Sequence, residues 1–123
     1  MIEIYDRKGF DRLSRIEGST LRGADLSSMD LSNANLVQMD LSGANLSNCK
    51  LIGADLRLAN LTGAILNGAD LTDALLTGCQ LTEIQAVGVV LTGVKPSSEQ
   101  RQALKTAGAD LNQLPLDISI KQG

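Results

Sequence analysis

The chain has 123 residues, a formal net charge of −3 at pH 7 and a sequence pI of about 4.8, so it is one domain without the basic stripe that nucleic-acid binding needs. Apolar residues make up 43%, yet aromatic residues are only 2% and histidine is absent. Without histidine the usual general base is missing, no Ser/His/Asp or Cys/His constellation can be built, and a core without large rings implies a narrow, regular interior.

The first segment, residues 1–17, carries Ile2, Ile4, Tyr5, Phe10, Leu13 and Ile16, including both aromatics. These apolar residues are expected to cap whatever follows. Ile16 shares the phase of the leucines beyond it, so an imperfect repeat unit is expected to begin there. MIEIYDRKGF has no apolar core of a secretory signal, and no run of 18 apolar residues exists. The expected setting is therefore cytoplasmic, with no membrane contact.

Residues 18–94 repeat every five positions without a slip. The central position, i, is Leu21, Leu26, Leu31, Leu36, Leu41, Leu46, Leu51, Leu56, Leu61, Leu66, Leu71, Leu76, Leu81, Ala86 and Leu91. Position i−2 is small or apolar throughout, from Ala24 to Val89. Position i−1 carries Asp25, Asp30, Asn35, Asp40, Asn45, Asp55, Asn60 and Asp70; i+1 favours Ser or Thr; i+2 favours Gly. A regular helix would rotate such leucines around its whole surface, and a flat strand would alternate them between faces. The pattern works if each unit is one side of a coil, turning inward at i and i−2. Gly at i+2 then supplies the positive φ of a type II turn, and Asn, Asp, Ser and Thr bond the local backbone.

Ala86 follows Ile84 at i−2, which implies compensation of volume within one coil. Larger i−2 residues, Met29, Met39, Ile84 and Val89, sit near the ends, where coils meet caps. Cys49 and Cys79 are also i−2 residues, thirty positions apart. Thirty residues is one and a half coils of twenty, too far for a bridge, so two free buried thiols are expected.

Residues 95–123 form the C-terminal cap. KPSSEQRQALKTAG predicts a helix over about 98–107, with Ser97 as N-cap, Gln100 as its capping-box partner and Gly108 as the stop. ADL at 109–111 is back in phase with the repeat, and LPLDISI alternates Leu114, Leu116, Ile118 and Ile120 as an edge strand or extended tail would.

The tandem units ADLSS, ANLVQ, ANLSN, ADLRL, ANLTG and ADLTD resemble the pentapeptide-repeat proteins, over residues 18–94. The resemblance implies an all-β solenoid: a right-handed quadrilateral parallel β-helix, four pentapeptides per coil, here with a short C-terminal α-helical cap. Fifteen units make just under four coils, a shaft roughly 20 Å tall. Stacking by twenty puts Leu21, Leu41, Leu61 and Leu81 on face one; Leu26, Leu46, Leu66 and Ala86 on face two; Leu31, Leu51, Leu71 and Leu91 on face three; and Leu36, Leu56 and Leu76 on face four.

Asp interchanges with Asn at i−1, so these carboxylates are expected to bond backbone rather than perform acid–base chemistry. No cofactor or metal is implied. Some pentapeptide-repeat proteins mimic DNA and bind DNA gyrase. Between residues 18 and 93, however, this chain holds seven acids against Arg22, Lys50 and Arg57, scattered over four faces, and no Phe at i. A non-catalytic structural or protein-interaction scaffold is expected instead, as a monomer or weak homodimer, with gyrase inhibition or protection as the alternative. Candidate partner-contact residues are the outward positions that break the pattern: Arg22, Lys50, Arg57, Leu58, Ile65 and Leu75. Face one, small and polar, is the flat candidate surface.

Overall fold

A computed structural model describes residues 1–9, 11–16 and 18–115. All fifteen i+2 residues, from Gly23 to Gly93, have φ between +58° and +76°. The next amide folds back onto the leucine carbonyl, as Ala24 N does to Leu21 O at 3.1 Å. A positive φ at the third residue is what a type II turn requires. Seven of the fifteen are not glycine: Ser28, Asn33, Gln38, Asn48, Leu58, Asp73 and Glu83 also hold the left-handed conformation.

One corner per five residues leaves one bridging residue per side. Parallel bridges join residues twenty apart in four columns: Asp25–Asn45–Ile65–Gln85, Asp30–Lys50–Asp70–Val90, Asn35–Asp55–Leu75 and Asp40–Asn60–Gln80. Three backbone bonds join a side to the next coil. On face two, Leu26 N donates to Asn45 O (2.9 Å), Asn45 N to Ala24 O (2.8 Å) and Ser28 N to Ser47 O (2.8 Å). The shaft therefore contains bridges and turns rather than strands of ordinary length, because the chain turns before a strand can extend.

The fourteen leucines are at most 4% exposed, and Ala86, Ile84 and Val89 are buried with them. Met29 and Met39 are half-buried and pack against the same core. Cys49 and Cys79 are free and buried.

The N-terminal segment differs from a simple apolar plug. Strands β1 (Ile2–Tyr5) and β2 (Arg12–Ile16) form an antiparallel hairpin. β1 continues onto the first coil, where Asn35 N donates to Tyr5 O and Arg7 N to Asn33 O, both at 2.8 Å. Ile4 is fully buried beneath the core, while Ile2, Leu13 and Ile16 pack partly against it. Tyr5 is 40% exposed, contrary to expectation: strand alternation turns it away from Ile4, and its hydroxyl donates to Glu3 at 2.8 Å. Ile16 belongs to β2 rather than to a repeat unit. Phe10 lies outside the described residues.

At the other end, α1 spans Ser98–Thr106 with the expected capping box between Ser97 and Gln100. Leu104 is fully buried, and Ala103 and Ala107 pack against the core. The in-phase ADL does not add a coil. Asp110 caps a 3-10 turn at Leu111–Gln113 instead. Of the predicted extended tail, Leu114 is buried and Pro115 exposed. Leu116, Ile118 and Ile120 lie outside the described residues.

Candidate functional site

The Asp and Asn side chains at i−1 are turned onto their own backbone. Asp25, Asp30, Asn35, Asp40, Asn45, Asp55, Asn60 and Asp70 each accept, through Oδ1, from the amide two residues on, at 3.0–3.2 Å. Asn35, Asn45 and Asn60 make the same bond as the aspartates, so no charge is needed for it. The i+1 hydroxyls depart from expectation: those of Ser27, Ser42 and Thr72 donate to the i−1 carboxylate at 2.6 Å, not to backbone. Hydrogen bonds from Ser27, Ser32 and Ser42, the side chain first and the backbone amide second, hold the carboxyl groups of Asp25, Asp30 and Asp40 respectively below the usual carboxylate range.

One unit breaks this pattern. Arg57 stands in a slot that Ser or Thr fills in nine of the fifteen units, and grips its own Asp55 with two bonds, Nε–Oδ1 at 2.8 Å and Nη2–Oδ2 at 2.7 Å. The residue Asp55 is 5% exposed. Its carboxyl is lowered chiefly by the Arg57 hydrogen bond. Arg7, from the hairpin turn, donates to Gly53 O at 3.1 Å. Between hairpin and shaft lies an open groove of about 700 Å³, lined by Asp6, Arg7, Lys8, Asp11, Asn33, Asp55 and Arg57. Three cations face three carboxylates there, so the groove has no net sign with which to select a charged ligand.

The six candidate contact residues do not converge. Arg22 is on face one, where it approaches Asp40 at 3.6 Å. Ile65 lies on face two and Lys50 on face three. Arg57, Leu58 and Leu75 share face four, beside the groove. Leu58 is 56% exposed, whereas Ile65 and Leu75 are half-buried. The groove's Asp6, Arg7, Lys8 and Asp11 escaped the sequence reading. A signal existed: alternating Ile2 and Ile4, then Asp-Arg-Lys-Gly, then a second polar–apolar run mark a hairpin. Gly9 has φ +81° and its amide donates to Asp6 O at 3.0 Å.

A family model described as pentapeptide repeats matches residues 19–57, 40–78 and 54–93. No curated protein matches the sequence. Among solved structures, a pentapeptide repeat protein from the Arabidopsis thaliana thylakoid lumen is 30% identical, over 73% of this chain and 79% of that one, with a TM-score of 0.43. Rfr23 from the cyanobacterium Cyanothece 51142 is 44% identical over 55% of this chain and 50% of its own, with a TM-score of 0.35. HetL of Nostoc, a protein involved in heterocyst differentiation regulation, is 31% identical over 60% of this chain and 47% of its own, with a TM-score of 0.27.

Proposed function

Because the chain belongs to the pentapeptide-repeat family, we propose that it is a non-catalytic scaffold, built on the family's right-handed quadrilateral β-helix, which holds a rigid face against a protein partner. The observation that carries this reading is the engagement of the i−1 side chains. Every Asp and Asn in that column accepts from its own turn, so the repeated carboxylates are structural. Face four near the hairpin is the favoured contact. It joins Arg57 to exposed Leu58 and half-buried Leu75, and arginine is enriched among the residues that anchor interfaces.

The test compares tagged protein with two variants in a cross-linked pull-down from source lysate. Leu58→Glu alters face four in a slot that Glu83 already occupies at a like φ. Thr62→Arg alters face one in the slot that Arg22 occupies. A partner lost with Leu58→Glu and kept with Thr62→Arg supports the face-four scaffold. The reverse pattern moves the contact to face one. Specific retention of gyrase subunits overturns the reading in favour of DNA mimicry.

A further inference from the structure

Strand β2 carries charge of one sign. It holds two arginines and no acid, whereas β1 and α1 each carry an acid and the shaft is acidic on balance. Both arginines stand on the outer side of the hairpin. Arg12 lies opposite Tyr5 and Arg15 opposite Glu3, while Ile2 and Ile4 turn toward the core. Neither guanidinium is well matched. Arg12 reaches Glu3 only at 3.7 Å, and that carboxylate already accepts from the Tyr5 hydroxyl at 2.8 Å. Arg15 makes no ion pair among the described residues, and its Nε and Nη2 rest on the Met1 sulfur at 3.0 and 2.6 Å. A thioether is a weak acceptor, so a carboxylate would displace it readily.

The same strand offers free backbone. Asn35 N donates to Tyr5 O and Arg7 N to Asn33 O, so the odd residues there bond the first coil. Asp6 N bonds Asp11 O, so the even residues bond β2, through the Ile2–Ile16 and Ile4–Ser14 pairs. Peptide groups alternate sides along the strand, so those of Arg15 point away from β1. β2 is an edge of its sheet, and no backbone bond among the described residues reaches it from that outer side. Leu13 and Ile16 pack only partly against the core.

We propose that the outer edge of β2 takes up an extended acidic segment of a protein partner as a third strand. An unpaired strand edge supplies main-chain hydrogen bonds, and the side chains flanking it select the sequence. The selected sequence alternates: carboxylates on the outward side, against Arg12 and Arg15, and apolar side chains on the inward side, against Leu13 and Ile16. A nucleic acid could pair with the arginines but not with the strand. A second copy of β2 would gather four arginines with no carboxylate in either strand. β1 and the first coil separate this edge from Arg57 and Leu58 in the second coil, so its ligand is independent of the face-four contact.

Fluorescence anisotropy with a labelled, end-blocked peptide of alternating Val and Glu tests it. The native chain is expected to bind this peptide, less tightly as salt rises, and to prefer it to the same residues arranged in two blocks. Arg15→Gln is expected to weaken binding about fivefold, the scale of one exposed ion pair. Arg15→Pro also removes the outward N–H, which an edge strand tolerates, and should weaken it further. Arg12→Gln/Arg15→Glu should reject the Glu peptide and accept its Lys counterpart. Hydrogen-exchange protection of the Asn35 amide, which bonds Tyr5, reports that the hairpin stays docked in each variant. The Arg15 amide should gain protection only with peptide bound. Equal binding of alternating and block peptides, or of a single-stranded oligonucleotide, overturns the proposal. So does absence of binding by a native chain with Asn35 protected, which would leave the arginines as guards against edge pairing. Leu58→Glu should leave peptide binding unchanged; its loss there would assign the contact to face four and overturn the edge site.

Discussion

Leu56→Ala measures whether the shaft is held by its inward column. Leu56 is fully buried on face four, one level from Leu36 and one from Leu76, in the ladder that runs through Asn35, Asp55 and Leu75. Removing three carbons forfeits about 2.4 kcal/mol of transfer free energy at ~0.8 kcal/mol per methylene. The stacked backbone bonds above and below resist collapse. A residual cavity on the order of 60 Å³ then adds about 1.4 kcal/mol at ~24 cal/mol per Å³. The total is about 4 kcal/mol, within the ~2–5 kcal/mol usual for buried leucines. That corresponds to a fall in melting temperature of roughly 10–25 °C. Thermal unfolding followed by circular dichroism reads it directly. Ser42→Ala is the comparison: Ser42 Oγ donates only to Asp40 Oδ1, at an exposed site, and the Ser42 amide keeps that oxygen bonded at 3.1 Å. Its loss should stay under about 0.5 kcal/mol. Equal shifts for the two variants would refute the inside–outside assignment.

Acid stability should follow the lowered carboxylates. Groups whose folded pKa lies below the unfolded value stabilise the fold above the ordinary carboxylate range, and lose that contribution as pH falls through the folded pKa. Asp25→Asn/Asp30→Asn/Asp40→Asn should therefore keep the neutral-pH fold, as Asn35, Asn45 and Asn60 do, while flattening the acid limb of urea midpoints plotted against pH. Burial pushes both thiols up to about 12, so native protein at pH 8 should resist a thiol reagent, and denatured protein should titrate two. At i+2, Gly63→Asn should be mild, because Asn33 and Asn48 hold φ of 61° and 58° in the same slot. Gly63→Val should cost about 1–2 kcal/mol more, since a β-branched residue resists φ of +72°. Chemical denaturation of the two variants decides between them.

The five-residue period made the shaft legible because each position has one mechanical task. Leu at i fills the axis, Asp or Asn at i−1 ties the turn, and i+2 bears the left-handed corner. The helix was equally plain, since Ser97 and Gln100 cap locally. The ends were harder, because nothing repeats there. Ile16 matched the leucine phase yet entered a strand pair with Ile2, fourteen residues away, where the hairpin's alternating pattern competed with the five-residue phase. The in-phase Ala109–Asp110–Leu111 run kept the repeat's local bonds. Asp110 Oδ1 accepts from Asn112 N, and Leu111 O accepts from Leu114 N. Gln113 nevertheless took its place in the ladder, its side chain bonding Leu91 N and Val89 O, because a glutamine that imitates backbone looks in sequence like any surface residue. The groove beside face four joins the turn after β1 to Asp55 and Arg57, two segments that only folding brings together.

The twenty-residue ladder also sets the steps by which such a gene can grow. Duplicating residues 41–60 would insert one coil and lift the C-terminal cap by about 4.8 Å. Every leucine column would stay in line, and hairpin and cap would keep the same faces. An insertion of five residues preserves the leucine phase as well, but it would swing the cap a quarter turn relative to the hairpin. Chain length in this architecture is therefore a coarse variable for height and a fine one for angle, and tandem duplication can set the two independently without touching either end.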